Sequence, residues 1–199
     1  MLQEVSHSTG HGRPATYEDL LRVPDHLVAE IVDGELYTSP RPAFPHARAG
    51  TRLGGRLDPF QQGGGGPGGW WILFEPELHL GSDILVPDLV AWRVERMPEF
   101  PDTAFATLAP DWVCEILSPS TARLDRAKKL EIYARERVSC VWLLDPIAQT
   151  LEVLTLDGGH WVIQAIHQAN DSIRAVPFEA MAIDLAYLWG ETASEAISR

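Results

Sequence analysis

Hydrophobic and polar positions follow two periods along the chain, and the changes between them predict its elements. Near the N-terminus, Thr16 stands three residues before Asp19 and just ahead of an apolar pair, which is the pattern of a short, capped helix. Residues 28–37 form two extended runs around Asp33-Gly34, a dipeptide that favours tight turns. This segment therefore predicts an N-terminal β-hairpin.

The rest of the chain alternates predicted helices and strands. An apolar residue at every third or fourth position predicts helices over residues 45–61 and 121–137, and a shorter one within 177–190. Apolar or alternating runs predict strands over residues 70–80, 84–92, 112–117, 140–144, 150–156 and 161–166. The helix over 121–137 links two of these strands, so we expect a parallel crossover and an α/β fold with a mixed sheet flanked by helices.

One domain accounts for the whole pattern. We assign it to residues 15–190, with a flexible leader over 1–14, a tail over 191–199 and a glycine-rich connector over 63–69. Two cysteines are too few for a disulfide framework, and no segment has the pattern of a signal peptide or the length of a membrane span. These features predict a cytoplasmic protein with no membrane partner.

Charge is distributed unevenly along the chain. The formal net charge of -12 argues against general, non-specific binding to nucleic acid or anionic membranes. However, ten of the 16 basic residues lie in segments 41–56 and 122–137, within or beside the two long predicted helices. We expect a phosphate backbone to contact the stripe of Arg48, Arg52 and Arg56, together with Lys128; a solvated helix face is the alternative.

Two carboxylates, Asp88 and Glu115, interrupt otherwise apolar predicted strands. An ionised side chain is costly there unless it is paired, hydrogen-bonded or bound to a metal. If the strands are neighbours, both side chains emerge on one face and offer hard oxygen ligands suited to Mg²⁺ or Mn²⁺. A strand-end cap or an arginine pair explains each carboxylate equally well.

The helix that follows Glu115 adds a candidate cation. Asp125, Lys129 and Tyr133 are spaced four residues apart and share a face, so Lys129 can orient a water molecule and stabilise charge on a phosphate. The alternatives are an ordinary surface pair between Asp125 and Lys129, or Lys128 as the functional lysine. Glu30 on the hairpin is either a supporting acid or the partner of an arginine.

These residues together resemble a known family. The resemblance extends over about residues 17–189, and the block at 115–121 followed by a lysine and a tyrosine is its most specific part. The family is Uma2, formerly DUF820, a branch of the PD-(D/E)XK nuclease superfamily. The motifs that carry the resemblance are Glu-Ile-Val-Asp-Gly-Glu-Leu at 30–36, His46, Pro87-Asp88, Glu-Ile-Leu-Ser-Pro-Ser-Thr at 115–121, Asp125, Lys129 and Tyr133.

The resemblance implies a restriction-endonuclease-like fold and a metal-assisted attack of water on a phosphodiester. Asp88, Glu115 and the backbone carbonyl of Ile116 would hold Mg²⁺ or Mn²⁺. The superfamily has a lysine where this chain has Leu117, and Lys129 is the substitute that the family's pattern suggests. It also implies catalytic support from two further residues, Glu30 and His46.

We therefore expect an endonuclease that depends on Mg²⁺ or Mn²⁺ and hydrolyses DNA. The alternative is a catalytically inactive nuclease fold that binds nucleic acid or another protein. A glycoside hydrolase that uses Glu115 and Asp88 has little support. A homodimer is plausible by analogy with the fold, and the strands over 140–144 and 150–156 are the expected edge for it.

Overall fold

The computed structural model describes residues 6–8 and 13–190 of the chain. The helices are α1 (Tyr17–Leu20), α2 (Phe44–Leu57), α3 (Ala122–Leu124), α4 (Leu130–Arg135) and α5 (Leu185–Trp189). The strands, numbered β1 to β14 in chain order, are Ser6–Ser8, Leu27–Val32, Glu35–Pro40, Trp70–Phe74, Glu77–Leu80, Asp83–Leu85, Leu89–Arg93, Phe105–Ala106, Trp112–Ile116, Cys140–Asp145, Thr150–Asp157, His160–Gln168, Ser172–Ile173 and Ile183–Asp184.

Two six-stranded sheets form the core. The hairpin sheet has the strand order β1-β3-β2-β6-β5-β8, and the central sheet has the order β12-β11-β10-β9-β7-β4. Within the central sheet, β9 and β10 run parallel and are joined through α3 and α4, so the predicted crossover is confirmed. The expected fold class, a mixed α/β arrangement with flanking helices and an N-terminal hairpin, is confirmed as well.

Helices cover both faces of the central sheet. On one face, Leu53 and Leu57 of α2 pack with Trp112, Trp142 and the α5 residues Leu185 and Leu188 in one buried cluster. On the other face, Ile132 and Tyr133 of α4 pack with Val113 and Val141. The alternation also places the Cys114 side chain on the α2 face, opposite to Glu115.

Two of the predicted strands are wrong as single strands. The run over 70–80 is divided between β4 of the central sheet and β5 of the hairpin sheet, with Glu75 at φ +43° and Pro76 at the corner. The run over 84–92 is likewise divided into β6 and β7. Asp88 therefore lies in the connection just before β7, not inside a strand, because Pro87 has no N–H to donate to a ladder.

The best predicted helix, over 121–137, is also interrupted. It consists of α3, a π-helical turn over Asp125–Lys129, and α4. Such turns contain one residue more than an α-helix of the same height and often occur at functional sites. Since Asp125 and Lys129 are the two ends of this turn, its geometry sets their relative position.

Several other predictions concern the periphery. The capped helix at Thr16 and the hairpin are confirmed. The expected dimer edge is wrong, because β10 lies between β9 and β11, and β11 lies between β10 and β12.

Within the predicted leader, β1 pairs with β3, while residues 1–5, 9–12 and the predicted tail lie outside the described residues. None of the helices in the described ranges is long and apolar enough to cross a membrane.

Candidate active site

A pocket of about 310 Å³ opens where the two sheets meet. Its walls come from the start of α2, strands β2 and β3, the connection before β7, and the segment from β9 to the π-helical turn. All five residues predicted to be catalytic lie in its wall: Glu30, His46, Asp88, Glu115 and Lys129. The structure thus brings together side chains that are up to 99 positions apart in the chain.

Lys129 lies at the centre of this group and is almost fully buried. Its Nζ is 2.9 Å from Oε1 of Glu30, 3.1 Å from Oδ1 of Asp125 and 3.4 Å from Oε1 of Glu115. The pair with Glu30 replaces the arginine partner considered from the sequence. Lys128, the alternative functional lysine, lies outside this cluster.

Burial governs the protonation of the group. Burial lowers the pKa of the Lys129 ammonium, but the carboxylates of Glu115, Glu30 and Asp125 raise it by more, so its pKa lies well above the usual value. Burial raises the pKa of the Glu115 carboxyl well above its usual value, although Lys129 opposes that effect. The pKa of Asp125 is raised for the same reason. Lys129 is therefore charged, and the carboxyl groups of Glu115 and Asp125 bind protons more readily than exposed ones.

Tyr133 fixes the orientation of Glu115. It lies one helical turn after Lys129, is fully buried, and donates a hydrogen bond from its hydroxyl to Oε1 of Glu115. The same carboxyl oxygen is the one nearest to Lys129. Tyr133 thus packs in the core and also contacts the cluster directly.

Asp88 forms the second half of the site. Its Oδ2 accepts a hydrogen bond of 2.7 Å from the backbone N–H of Ile116, and its Oδ1 lies 3.1 Å from Nε2 of His46. Burial lowers the pKa of His46, but the hydrogen bond to Asp88 and the negative charges of Asp88, Asp125 and Glu75 together raise it by more, so the net shift is upward. The imidazole of His46, at the start of α2, thus contacts Asp88 on one side while the end of β9 contacts it on the other.

The residues predicted to bind nucleic acid lie elsewhere. Arg52 donates to the backbone carbonyl of Tyr187, and the guanidinium carbons of Arg52 and Arg56 lie 4.7 and 4.3 Å from the centre of its ring. Lys128 Nζ is 2.9 Å from a Glu35 carboxyl oxygen and 2.8 Å from the Tyr37 hydroxyl. Arg48 is exposed on α2. None of these four cations belongs to the wall of the pocket.

Sequence reasoning missed three contributors to the pocket. Asp125 was taken only as the partner of Lys129, whereas it is buried and faces the pocket. Its position four residues before Lys129 is the signal that was available. Arg41 and Glu75 also line the pocket, with 3.6 Å between Nη1 and Oε2; Glu75 has no period or motif that marks it.

The chemistry of this group fits a hard divalent cation. Its donors are carboxylate oxygens, and Oδ1 of Asp125 is buried without a hydrogen-bond partner of good geometry. Among residues 6–8 and 13–190, no three His, Cys, Asp or Glu side chains already form a cluster that could hold a metal. The physical reason is that Lys129 attracts three of the carboxylates, while Asp88 faces His46.

Comparisons with known proteins identify the family and the fold of this chain. The model of the Uma2 family, described as "Putative restriction endonuclease", matches residues 14–186. A crystal structure described as a putative nuclease belonging to DUF820 from Anabaena variabilis superposes with a TM-score of 0.68 at 21% identity, covering 88% of this chain and 98% of that chain. No curated protein matches. The structural likeness shows the fold, and the match over most of the sequence shows that this chain belongs to the Uma2 family.

Proposed function

We propose that this protein is an endonuclease that depends on Mg²⁺ or Mn²⁺ and hydrolyses phosphodiester bonds of DNA in the pocket. Membership of a family described as restriction endonucleases supports a nuclease. The observation that carries the finer proposal is the buried ammonium of Lys129 among carboxylates, beside an aspartate fixed at the end of β9. If these residues served only the stability of the fold, they would not need to line a pocket.

Asp88, Glu115 and the carbonyl of Ile116 would hold the cation. When bound, such an ion lowers the pKa of water and stabilises negative charge on the phosphate. Asp88 already touches the backbone N–H of Ile116, so two of the three groups are adjacent. Tyr133 orients Glu115, and His46 orients Asp88.

Lys129 supplies positive charge where negative charge develops on the phosphate. Its low exposure keeps the charge in a medium of low dielectric constant, where an electrostatic contact is stronger than in water. Glu30 holds the ammonium in place, and it accepts a second hydrogen bond of 2.8 Å from the backbone N–H of Val86. These contacts assign Glu30 a positioning role.

One observation favours the alternative, a nuclease fold without catalysis. Lys129 is already neutralised by three carboxylates, and the charged residues of the wall are mostly acidic. A pocket of this charge repels phosphate unless a cation enters it. Dependence on a divalent metal therefore distinguishes the two functions.

The test compares two aspartates that are shielded to a similar extent. Asp88 has a side-chain exposure of 18%, and Asp111, which precedes β9 at its opposite end, has 14%. We expect wild type and Asp111→Asn to nick supercoiled plasmid or cut single-stranded DNA with Mn²⁺ or Mg²⁺ but not with EDTA. Asp88→Asn should lose about 100-fold or more of that activity. Equal cleavage by Asp88→Asn, or no cleavage by wild type with any metal, would reject the proposal.

A further inference from the structure

Phe44 is the most exposed large apolar side chain among the described residues. Its exposure is 93%, against 66% for Ile147, the next highest. Burying a phenylalanine contributes about 1.5–3 kcal/mol to folding, so at this position the ring adds almost no stability. Phenylalanine is also a weaker helix former than alanine, and α2 begins at this residue. The fold therefore gives no reason for an aromatic ring here.

Phe44 lies at the end of α2 that borders the pocket. Ala43 and His46, on either side of Phe44 and Pro45, line the pocket, and His46 contacts Asp88. Residues two positions apart on a helix are separated by about 200° around its axis, so Phe44 lies on the outer side of the helix end whose inner side carries His46. A strand that binds with its phosphate at Asp88 and runs past the start of α2 would meet this ring.

The backbone around the ring is rigid. Pro42 and Pro45 flank the segment, and Pro45 occupies the first turn of α2, where proline fixes the backbone without losing a hydrogen bond. Exposed Arg48 follows Phe44 by four residues, on the same side of the helix, whereas Arg41 precedes α2 and is held by Glu75 and the backbone carbonyl of Asp25. An exposed aromatic ring beside a cation, held on a rigid backbone, has the composition of a stacking site for single-stranded nucleic acid.

The charge of the pocket points to the same substrate. Five carboxylates line it, and Arg41, Lys129, Arg52, Arg56 and Lys128 are all engaged within the protein. Phosphate contacts are thus few, whereas binding to duplex DNA depends mainly on them. Stacking supplies affinity that does not depend on charge, but it requires a base that is not paired within a helix.

We propose that Phe44 is a stacking residue that makes this pocket selective for DNA with unpaired bases, an inference that rests on the proposed nuclease function. The ring stacks on a base near the scissile phosphate. Arg48 contacts a phosphate next to that base. Phe44 is thus a specificity residue, and the chemistry remains with the buried cluster.

Binding is measured without cleavage, with Mn²⁺ present, on oligonucleotides of about 12 nucleotides that have nuclease-resistant phosphorothioate linkages and carry 2-aminopurine at successive positions. Stacking on an aromatic ring quenches this base, and fluorescence anisotropy gives the Kd. We expect wild type to bind the single strand more tightly than the matching duplex and to quench one or two positions. Phe44→Leu should weaken single-strand binding about 5- to 100-fold and abolish the quenching, while Phe44→Trp retains both.

Phe100→Leu is the matched control. Phe100 is half exposed, and its ring lies 4.8 Å from that of Trp71, beyond the end of β7 that points away from Asp88. Its substitution should leave binding unchanged. Wild-type affinity in Phe44→Leu, or equal affinity of wild type for single strand and duplex, would overturn the inference. Because these readouts need no cleavage, the plasmid assay with Asp88→Asn decides the nuclease proposal separately.

Discussion

Lys128 and Lys129 are neighbours in the chain but have opposite environments. Lys129 is 3% exposed and has three carboxylate partners, whereas Lys128 is partly exposed and bonds to Glu35 and Tyr37. Exposed ion pairs contribute about 0–1 kcal/mol, while removal of one partner from a buried pair costs about 3–5 kcal/mol. Only Lys129 therefore has an electrostatic role large enough to shape the site.

The cluster around Lys129 makes stability depend on pH. Glu115 has a raised pKa in the folded protein, so the native state keeps a proton that the unfolded chain loses above its ordinary value of 4.5. This contribution to stability is fully present below pH 4.5 and is lost as the pH rises toward the folded pKa. Over that window the free energy of unfolding falls by at most about 1.4 kcal/mol per pH unit.

We predict that Glu115→Gln removes this slope, because glutamine has no proton to lose. Urea unfolding in EDTA from pH 5 to pH 8 should show the stability of wild type falling, relative to that of the variant, as the pH rises. Glu136→Gln, a partly exposed carboxyl on a surface turn paired with Arg135, serves as the control and should run parallel to wild type. Parallel profiles for Glu115→Gln and wild type would contradict the assignment of the raised pKa.

At the scale of single residues, the sequence predicted the right residue types but not all of their partners. Asp88 and Glu115 were found because a carboxylate in an apolar run has a cost that needs an explanation. Lys129 was found from its helical spacing after Glu115, and Glu30 from its place on the hairpin and in the family's motif. Asp125 was missed as a member because an acid four residues before a lysine is common on solvated helices. Burial, which separates the two cases, depends on the hairpin sheet folding over the helix.

Helix α2 forms despite three glycines that weaken its sequence signal. Two of them allow close packing: a Cβ on Gly50 would lie 3.0 Å from Cδ1 of Ile116, and one on Gly54 would lie 2.0 Å from Cζ of Phe74. Gly55 has no atom within 4 Å of such a Cβ. Tertiary contact thus overrides helix propensity, and the close approach at Gly50 brings His46 to the end of β9.

We predict different effects on the free energy of unfolding for two adjacent substitutions in α2. Gly55→Ala should raise the free energy of unfolding by about 0.5–1 kcal/mol, since alanine is the better helix former and the added methyl meets nothing. Gly54→Ala should fail to give that gain, because the Phe74 ring must move. The double variant Gly54→Ala with Phe74→Ala should recover this gain in the free energy of unfolding. Urea unfolding of Gly55→Ala, Gly54→Ala and the double variant checks this. A gain in Gly54→Ala equal to that in Gly55→Ala would show that the ring imposes no constraint.

The predicted strands that are wrong are those whose two halves belong to different sheets. Residues 70–80 and 84–92 read as continuous apolar runs because both halves of each are buried, but β4 and β7 lie in one sheet and β5 and β6 in the other. Hydrophobic periodicity reports burial, not the identity of the neighbouring strand. The corners at Glu75 and Asp88 border the pocket, so the missed features of the fold are also those that build the site.

At the scale of the molecule, the pocket joins the two sheets. Glu30 comes from the hairpin sheet and Glu115 from the central sheet, while Asp88 lies on the connection between them. The chain carries a formal net charge of -12, and five carboxylates of the pocket add to the local repulsion. A divalent cation bound there offsets that repulsion and bridges groups from different parts of the fold, so its binding is coupled to global stability.

We predict that Mn²⁺ or Mg²⁺ stabilises the native protein through Asp88. A ligand that binds only the folded state adds about 2.7 kcal/mol at a concentration 100 times its Kd, and the melting temperature should rise accordingly. In Asp88→Asn the rise should be absent, whereas Asp111→Asn, which disturbs the opposite end of β9, should lower the baseline and keep the full response. EDTA should return wild type to its metal-free melting temperature. An equal rise in Asp88→Asn would place the cation elsewhere on this acidic surface, and no rise in wild type would favour the nuclease fold without catalysis.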